Sequence, residues 1–315
     1  MAYYIEWDET GKKLYETGSK QAVLYPQNVD GTYGDGVAWS GLTGVDESPS
    51  GADATDLWAD DIKYLSIRSA EEFGFTIKAY MYPDEFGACD GTASPATGMT
   101  VFQQSRKGFG LCYRTTVGND AAYNDYGYKL HLIYGATCSP SSRSYSTIND
   151  SPSAIEFSWE CKTTPVAVPG YKNTAEIVLD STKIDTVKMQ QIESILYGTA
   201  GTPGTKPRLP MPSELIEILG SAVTDAVLTG ITIANATLTP AFDDDVFTYT
   251  AATSSASGTI TVTAGTGVNI AIEVNGTAVA NEGTASFDEG NNSVKITASK
   301  PGCNTTVTNI TVVRS

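Results

Sequence analysis

The 315-residue sequence carries 36 Asp and Glu against 20 Lys and Arg, a formal net charge of −16, with 41% apolar and 10% aromatic residues. This composition can build folded cores, while the shortage of positive charge excludes a simple nucleic-acid or anionic-membrane binder, because both need clustered Lys and Arg. The length exceeds the ~250–300 residues at which one core stops growing, so two domains are expected.

Met1-Ala2-Tyr3-Tyr4-Ile5-Glu6-Trp7 lacks the basic and apolar regions of a secretory leader. No window reaches the ~18 apolar residues of a membrane span, and no membrane association is expected. Residues 1–20 mix Tyr, Trp and charge, and fit either an arm or a first strand. Residues 27–62 are rich in Gly, Asp, Ser and Ala and read as a long loop rather than regular structure. Between Gln21 and Ile62 there is no Lys or Arg, whereas Asp30, Asp35, Asp46, Glu47, Asp53, Asp56, Asp60 and Asp61 supply eight negative charges. So long a loop is either a solvated surface excursion or a segment that orders on a neighbouring subunit. On the second reading those eight residues are self-assembly candidates.

Phe73–Tyr82 alternates apolar and polar residues and predicts a strand that ends at the Pro83-Asp84 turn. Val101–Gln104, Phe109–Thr115 and Tyr128–Tyr134 predict further strands, joined as antiparallel sheet rather than βαβ units. Ile155–Lys162 alternates strictly, with Ile155, Phe157, Trp159 and Cys161 on one face. In a second strand Ala175, Ile177 and Leu179 oppose Thr174, Glu176, Val178 and Asp180. With the helix expected over Asp185–Tyr197, capped by Gly198, these form a strand–turn–strand–helix unit with one dry face. Residues 199–213 read as a Gly/Pro-rich connector. Gly201-Thr202-Pro203-Gly204-Thr205-Lys206 lacks the Gly-Lys-Ser/Thr and the preceding strand of a phosphate loop.

Composition changes near Gly220–Asp225, which places the domains at 1–222 and 223–315. Beyond it Tyr249 is the sole tyrosine, and seven short strand-like runs recur between Leu228 and Val313. Asn275-Gly276 marks a two-residue hairpin, and the pattern is that of an immunoglobulin-like β-sandwich.

Catalytic chemistry is hard to place. His131 is the only histidine, which excludes any multi-histidine metal site, and its strand face, shared with Lys129, predicts a surface or interface position. Asp243-Asp244-Asp245 lacks the alternating spacing of a calcium loop and reads as a solvated turn. The Asn-x-Ser/Thr triplets at Asn235, Asn275, Asn291, Asn304 and Asn309 read as a by-product of an Asn/Thr-rich sandwich. The five scattered cysteines, without a CxxC, predict reduced structural thiols. No enzyme activity, cofactor or metal is expected.

Tyr80-Met81-Tyr82-Pro83-Asp84-Glu85-Phe86, Gln103–Thr115, Tyr128–Gly135, Phe157-x-Trp159-Glu160 with Thr164-Pro165, Ala175, Asp180-Ser181, and Leu196-Tyr197-Gly198-Thr199 form an ordered set of segments. Together they resemble the major tail proteins, or tail tube proteins, of long-tailed bacteriophages. The resemblance runs in order over about residues 1–220. It implies a mainly β fold, a tail-tube-type β-sandwich or barrel with one flanking helix, assembled into hexameric rings that stack into a DNA conduit. It also implies tape measure, tail terminator and distal tail proteins as partners, and location in the virion after assembly in the host cytoplasm. Glu156, Glu160, Glu176 and Asp180 then become lumen or ring-surface candidates, because a negative wall does not hold passing DNA. Separately, Leu238-Thr239-Pro240-Ala241-Phe242-Asp243 with Val246 and Tyr249 is similar to bacterial cadherin-like or immunoglobulin-like modules. Two alternatives stay open: a bacterial surface or carbohydrate-binding module, and a tube protein of a contractile or type VI secretion-like system.

Overall fold

The computed structural model describes residues 6–148, 150, 153–201 and 204–315. Met1–Ile5 of the leader reading and Thr202-Pro203 of the connector lie outside them. Two compact units divide the chain, Met1–Gly220 and Ser221–Ser315.

The principal strands of the first unit are β1 (Leu14–Pro26), β2 (Val37–Trp39), β3 (Leu42–Glu47), β4 (Ala54–Ala59), β5 (Ile62–Arg68), β6 (Gly74–Ala79), β7 (Phe109–Asn119), β8 (Tyr123–Cys138), β9 (Phe157–Thr163) and β10 (Glu176–Asp180). Two helices follow, α1 (Thr186–Tyr197) and α2 (Pro212–Gly220). Eight strands form one sheet in the order β2-β1-β7-β8-β9-β6-β3, with β10 paired to β8 off that path. Its pairings are antiparallel.

Both faces of this sheet are dry over much of their area. One face gathers Leu24, Phe75, Ile77, Phe86, Phe109, Leu111, Ile133, Trp159 and Cys161. The other gathers Val23, Tyr25, Cys112, Leu130, Leu132, Tyr134 and Leu179 against Met189, Ile192 and Leu196 of α1 and Leu215 and Ile218 of α2. Successive residues of a strand point to opposite faces, so β1 and β8 supply both cores at once. This explains their near-continuous apolar runs, Ala22–Tyr25 and Leu130–Tyr134.

The expected strand–turn–strand–helix unit is therefore rearranged. β9 and β10 do not pair with each other; each pairs with a different length of β8, Ala136–Cys138 for β9 and Lys129–Ile133 for β10. Trp159 and Cys161 enter one core and Leu179 the other. Gly135 lies at the changeover with φ 59°, donating its N–H to Tyr33 Oη (2.8 Å) and accepting from Thr164 N (2.9 Å).

α1 starts as expected: Asp185 accepts a hydrogen bond from Val187 N at 2.9 Å, and Gly198 ends the helix with φ 75°. α2 corrects the reading of the connector, which extended through Pro212-Ser213. A proline at the first helical position is no obstacle there, since its missing N–H has no intrahelical partner anyway. Tyr25 Oη donates to Leu196 O at 2.7 Å and Tyr134 Oη to Pro210 O at 2.9 Å, so two buried tyrosines tie the helical layer to the sheet.

Residues 27–62 are likewise not an irregular loop. They include β2, β3 and β4, and β4 runs into β5 through Asp60-Asp61, both at positive φ (51° and 62°), as a two-residue primed turn requires. The Gly- and Asp-rich composition belongs to the turns, while Leu42–Glu47 supplies an edge strand.

The second unit packs a three-stranded sheet (Leu228–Ile233, Ser257–Ala264, Thr284–Ser286) against a six-stranded one. Ile231, Ile260 and Val262 meet Tyr249, Ile272, Val294, Ile296, Ile310 and Val312 in one core. Asn275 and Gly276 turn with φ 49° and 79° between Val274 and Thr277, the hairpin their dipeptide predicts. Tyr249 Oη donates to Asp243 O (2.6 Å) and accepts from Asp243 N (3.1 Å), fixing the acidic Asp243–Asp245 turn at the sheet edge.

A Cβ added at Gly135 would lie 2.3 Å from Thr164 O, a backbone atom that cannot move aside. Gly135→Ala should therefore destabilise the first unit by about 2–3 kcal/mol or more, by strain and by lost pairing at the changeover. Urea denaturation followed by tryptophan fluorescence measures it.

Candidate functional site

Two features of the first unit carry functional potential: a projecting hairpin arm and a polar cluster around the single histidine.

The arm grows out of β3 and returns into β6. Every residue from Asp46 to Glu72 is exposed. β4 and β5 pair only with each other, in register from Ala54↔Arg68 to Ala59↔Ile62 with a bulge between Leu57 and Trp58. Cross-strand pairing puts Thr55, Leu57, Ala59, Ile62, Leu65 and Ile67 on one face. That face is apolar yet open to solvent, with Leu57 42%, Ile62 62%, Leu65 40% and Ile67 53% exposed. Trp58 (67%) and the Asp56–Lys63 ion pair (2.7 Å) occupy the opposite face. An isolated two-stranded hairpin is marginal in water, so such an arm calls for a surface to lie on.

The eight acidic candidates do not form one patch. Asp53, Asp56, Asp60 and Asp61 belong to the arm, with Asp60-Asp61 at its tip. Asp46 and Glu47 end β3, where Asp46 pairs with Lys78 at 2.7 Å. Asp30 and Asp35 lie elsewhere. Asp30 accepts from Thr32 Oγ1 at 2.6 Å and from Thr32 N, bonds that hold its carboxyl below the usual range, and Asp35 pairs with Lys206.

The four lumen candidates also divide. Glu156 accepts from Thr43 Oγ1 at 2.5 Å, and Glu160 is exposed on β9 opposite Thr76. Asp180 ends β10, and Glu176 is on the same strand, turned toward His131. For Asp180, burial pushes the carboxyl up, but bonds from Thr182 and Lys183 outweigh it and hold the pKa low.

The histidine corrects the sequence reading most sharply. His131 is 8% exposed rather than on the surface, and stacks flat on Tyr113 with centroids 4.5 Å apart. Carboxylates from three strands converge on it: Glu176 of β10 at 3.0 Å and Glu47 of β3 at 3.5 Å, both from Nδ1, and Glu16 of β1 at 3.4 Å from Nε2. β1 and β3 are far apart in strand order, so the sheet must curl to bring Glu16 and Glu47 to one ring. Lys129 Nζ bonds Glu16 Oε2 at 2.5 Å, and Thr115 Oγ1 donates to Glu16 Oε1 at 2.5 Å. Tyr113 Oη donates to Glu47 Oε1 at 2.6 Å, and burial together with that carboxylate pushes its pKa well up. A cleft of about 680 Å³ opens onto Glu16, Glu47, Thr115, Lys129 and His131. Nothing in the spacing of residues 16, 47, 131 and 176 announces their meeting; only period-two placement of Glu176 and His131 on polar strand positions hints at it.

Four of the five thiols are in the interior of the first unit, and Cys303 of the second is partly buried. Cys89, Cys112, Cys138 and Cys161 are free and buried, and burial pushes Cys89 and Cys112 up to about 12. Cys138 and Cys161 are cross-strand partners, and their mutual hydrogen bond, with burial, raises the Cys138 thiol further. Among the described residues, no helix is long and apolar enough to cross a membrane.

Comparison with known proteins bears on the second unit. Residues 228–315 match the family of cadherin-like beta sandwich domains. This agrees with the two packed sheets seen there. Comparison with curated proteins gives no match for the chain.

For Glu16, burial acts to raise the pKa, but bonds from Lys129 and Thr115 prevail and hold it below the ordinary 4.5. Lys129 is raised above 10.5, first by its bond to Glu16. A depressed carboxylate stabilises the fold above its unfolded pKa and loses that contribution as pH falls through the folded one. A raised amine stabilises below its unfolded pKa and loses that contribution above. The pair should thus contribute between about pH 4.5 and 10.5. Because it is partly solvated, Glu16→Gln should cost no more than about 1 kcal/mol at pH 7 and less at pH 3. Urea midpoints at the two pH values test this.

Proposed function

We propose that this chain is a self-assembling structural subunit: the tail tube protein of a long-tailed bacteriophage, whose N-terminal unit forms rings that stack into a DNA conduit. The observation that carries the reading is the arm. Ala54–Arg68 pairs only with itself, outside the main sheet, yet presents an apolar face of Leu57, Ile62, Leu65 and Ile67. Edge strands and free hairpins are sites for strand addition from another chain, and an exposed apolar ladder gives such addition its driving force. The order of tail-tube-like segments over about residues 1–220 supports the same reading, as does the net charge of −16, which suits a wall that DNA must pass without sticking. In this assembly the arm lies on the neighbouring subunit or ring. Asp53, Asp56, Asp60 and Asp61 contact that neighbour, and Glu156 and Glu160 are lumen or ring-surface residues. Its partners are other copies of the chain and the tape measure, tail terminator and distal tail proteins, and its place is the virion tail. The cadherin-like domain serves as an appended decoration.

The cadherin-like match at 228–315 also suits a second reading, a cell-surface or carbohydrate-binding module. Glycan or cell binding by the protein, with no higher-order assembly, would favour it.

Negative-stain electron microscopy of concentrated protein should show rings or tubes, and a strictly monomeric protein absent from purified tails sinks the proposal. Ile62→Asp and Ile67→Asp alter exposed positions, so stability should stay within about 0.5 kcal/mol while assembly is lost. Removing residues 226–315 should leave ring formation intact; loss of rings would make the sandwich part of the tube.

A further inference from the structure

Around His131 the hydrogen bonds place a proton on one ring nitrogen. Thr115 has one hydroxyl proton and gives it to Glu16 Oε1 at 2.5 Å. Toward His131 Nε2, 3.1 Å away, Thr115 Oγ1 can therefore only accept, and the other neighbour of Nε2, Glu16 Oε1 at 3.4 Å, is also an acceptor. Nε2 carries a proton. Nδ1 faces carboxylate oxygens, Glu176 Oε1 at 3.0 Å, within hydrogen-bond distance, and Glu47 Oε1 at 3.5 Å. Glu47 Oε1 already receives the Tyr113 proton and offers none.

One possible ligand atom from each of Glu47, His131 and Glu176 thus converges within 4.8 Å of the others, around an imidazole side chain only 10% exposed, and a cation there would take the place of a proton on Nδ1. We infer that Glu47, His131 and Glu176 form a binding site for a divalent transition-metal cation, with His131 Nδ1 and one oxygen of each glutamate as ligands. The inference is independent of the tube reading.

Geometry, charge and orientation agree. Bonds of ~2.0–2.1 Å at tetrahedral angles set ligand atoms about 3.3–3.4 Å apart. The observed 3.0 and 3.5 Å bracket that spacing, and one ligand atom from each of the three residues falls within 4.8 Å of the others. Nearby charges are otherwise matched: Lys129 with Glu16, Lys78 with Asp46, Lys183 with Asp180. Glu47 and Glu176 leave two negative charges, which a dication cancels and a single proton on Nδ1 does not. Glu16 and Thr115 hold the far side of the ring, the carboxylate–histidine–metal relay that fixes the tautomer and orients the ligand. One imidazole with two carboxylates suits zinc, manganese or ferrous iron rather than calcium. The cleft reaches two of the three ligands, Glu47 and His131, and gives an ion a path to them. Glu47 is the last residue of β3, so a bound cation would pin the root of the arm to β8 and β10.

The single histidine makes the test direct. Chelator-treated full-length protein is titrated with zinc chloride by calorimetry, and the one imidazole is followed by nitrogen-15 NMR. The expected result is one zinc per chain, a proton on Nε2 before and after, and an Nδ1 shift on binding. Glu47→Gln and Glu176→Gln should each weaken binding at least tenfold with circular dichroism unchanged, while Asp243→Asn/Asp245→Asn, in the other acidic cluster, should leave it unchanged. If either glutamate variant misfolds, the imidazole signal of the unaltered protein decides alone. Absence of stoichiometric binding at about a hundred micromolar zinc overturns the inference. So does an Nδ1 signal that ignores zinc, or binding that vanishes in the Asp243/Asp245 variant.

Discussion

The architecture of the first unit depends on one strand buried on both sides. Tyr123–Cys138 hydrogen-bonds to Phe109–Asn119 along one edge and divides its other edge between Glu176–Asp180 and Phe157–Thr163. Ile133 and Ala136 enter the aromatic core of Trp159, Phe86 and Phe75, while Leu130, Leu132 and Tyr134 enter the core under the two helices. A strand in this position cannot slip by one residue without exchanging its two sets of side chains between chemically different cores, which fixes the register of everything paired to it. Gly135 is what lets one strand serve two partners, because the change of direction needs a left-handed backbone close against Thr164.

Where that strand leaves the apolar part of the sheet, its face turns polar and the sheet curls. His131 sits at this transition, stacked on Tyr113 and ringed by Glu16, Glu47 and Glu176. Burying a titratable ring among carboxylates is costly unless its donors and lone pairs are matched. Thr115, Glu16 and Lys129 meet that requirement on one side of the ring, and Glu176 and Glu47 face Nδ1 on the other, where a proton or a cation can lie between them. The same curl brings the end of Leu42–Glu47 over the cluster, so the polar pocket and the base of the exposed arm share a residue, Glu47.

The two units contrast in how they use their surfaces. The second is a closed two-sheet sandwich with its apolar residues inside, matched to cadherin-like beta sandwich domains. The first exposes a long paired hairpin with an apolar face, a feature that gains stability only by covering. Its thiols are buried, and its polar chemistry is gathered around one ring rather than spread along the acidic segment.

The sequence by itself determined the mainly β class, the strands within Phe73–Tyr82, Phe109–Thr115 and Ile155–Lys162, the capped helix ending at Gly198, the Asn275-Gly276 hairpin and the sandwich beyond residue 228. Each rests on a local signal: period-two alternation, an Asp N-cap, or a dipeptide that tolerates positive φ. Tertiary structure alone decided the rest. That Phe157–Thr163 and Glu176–Asp180 serve opposite cores depends on which strand they pair with, which alternation does not encode. Residues 27–62 looked irregular because Gly and Asp in their turns outweighed short strands whose partners lie at Leu14–Pro26, in the arm and at Gly74–Ala79. The helix of Pro212–Gly220 was hidden by the prolines before it. His131 looked exposed because its neighbour Lys129 is polar; its burial follows from Glu16, Glu47 and Glu176, residues distant in sequence that only the curl of the sheet brings together.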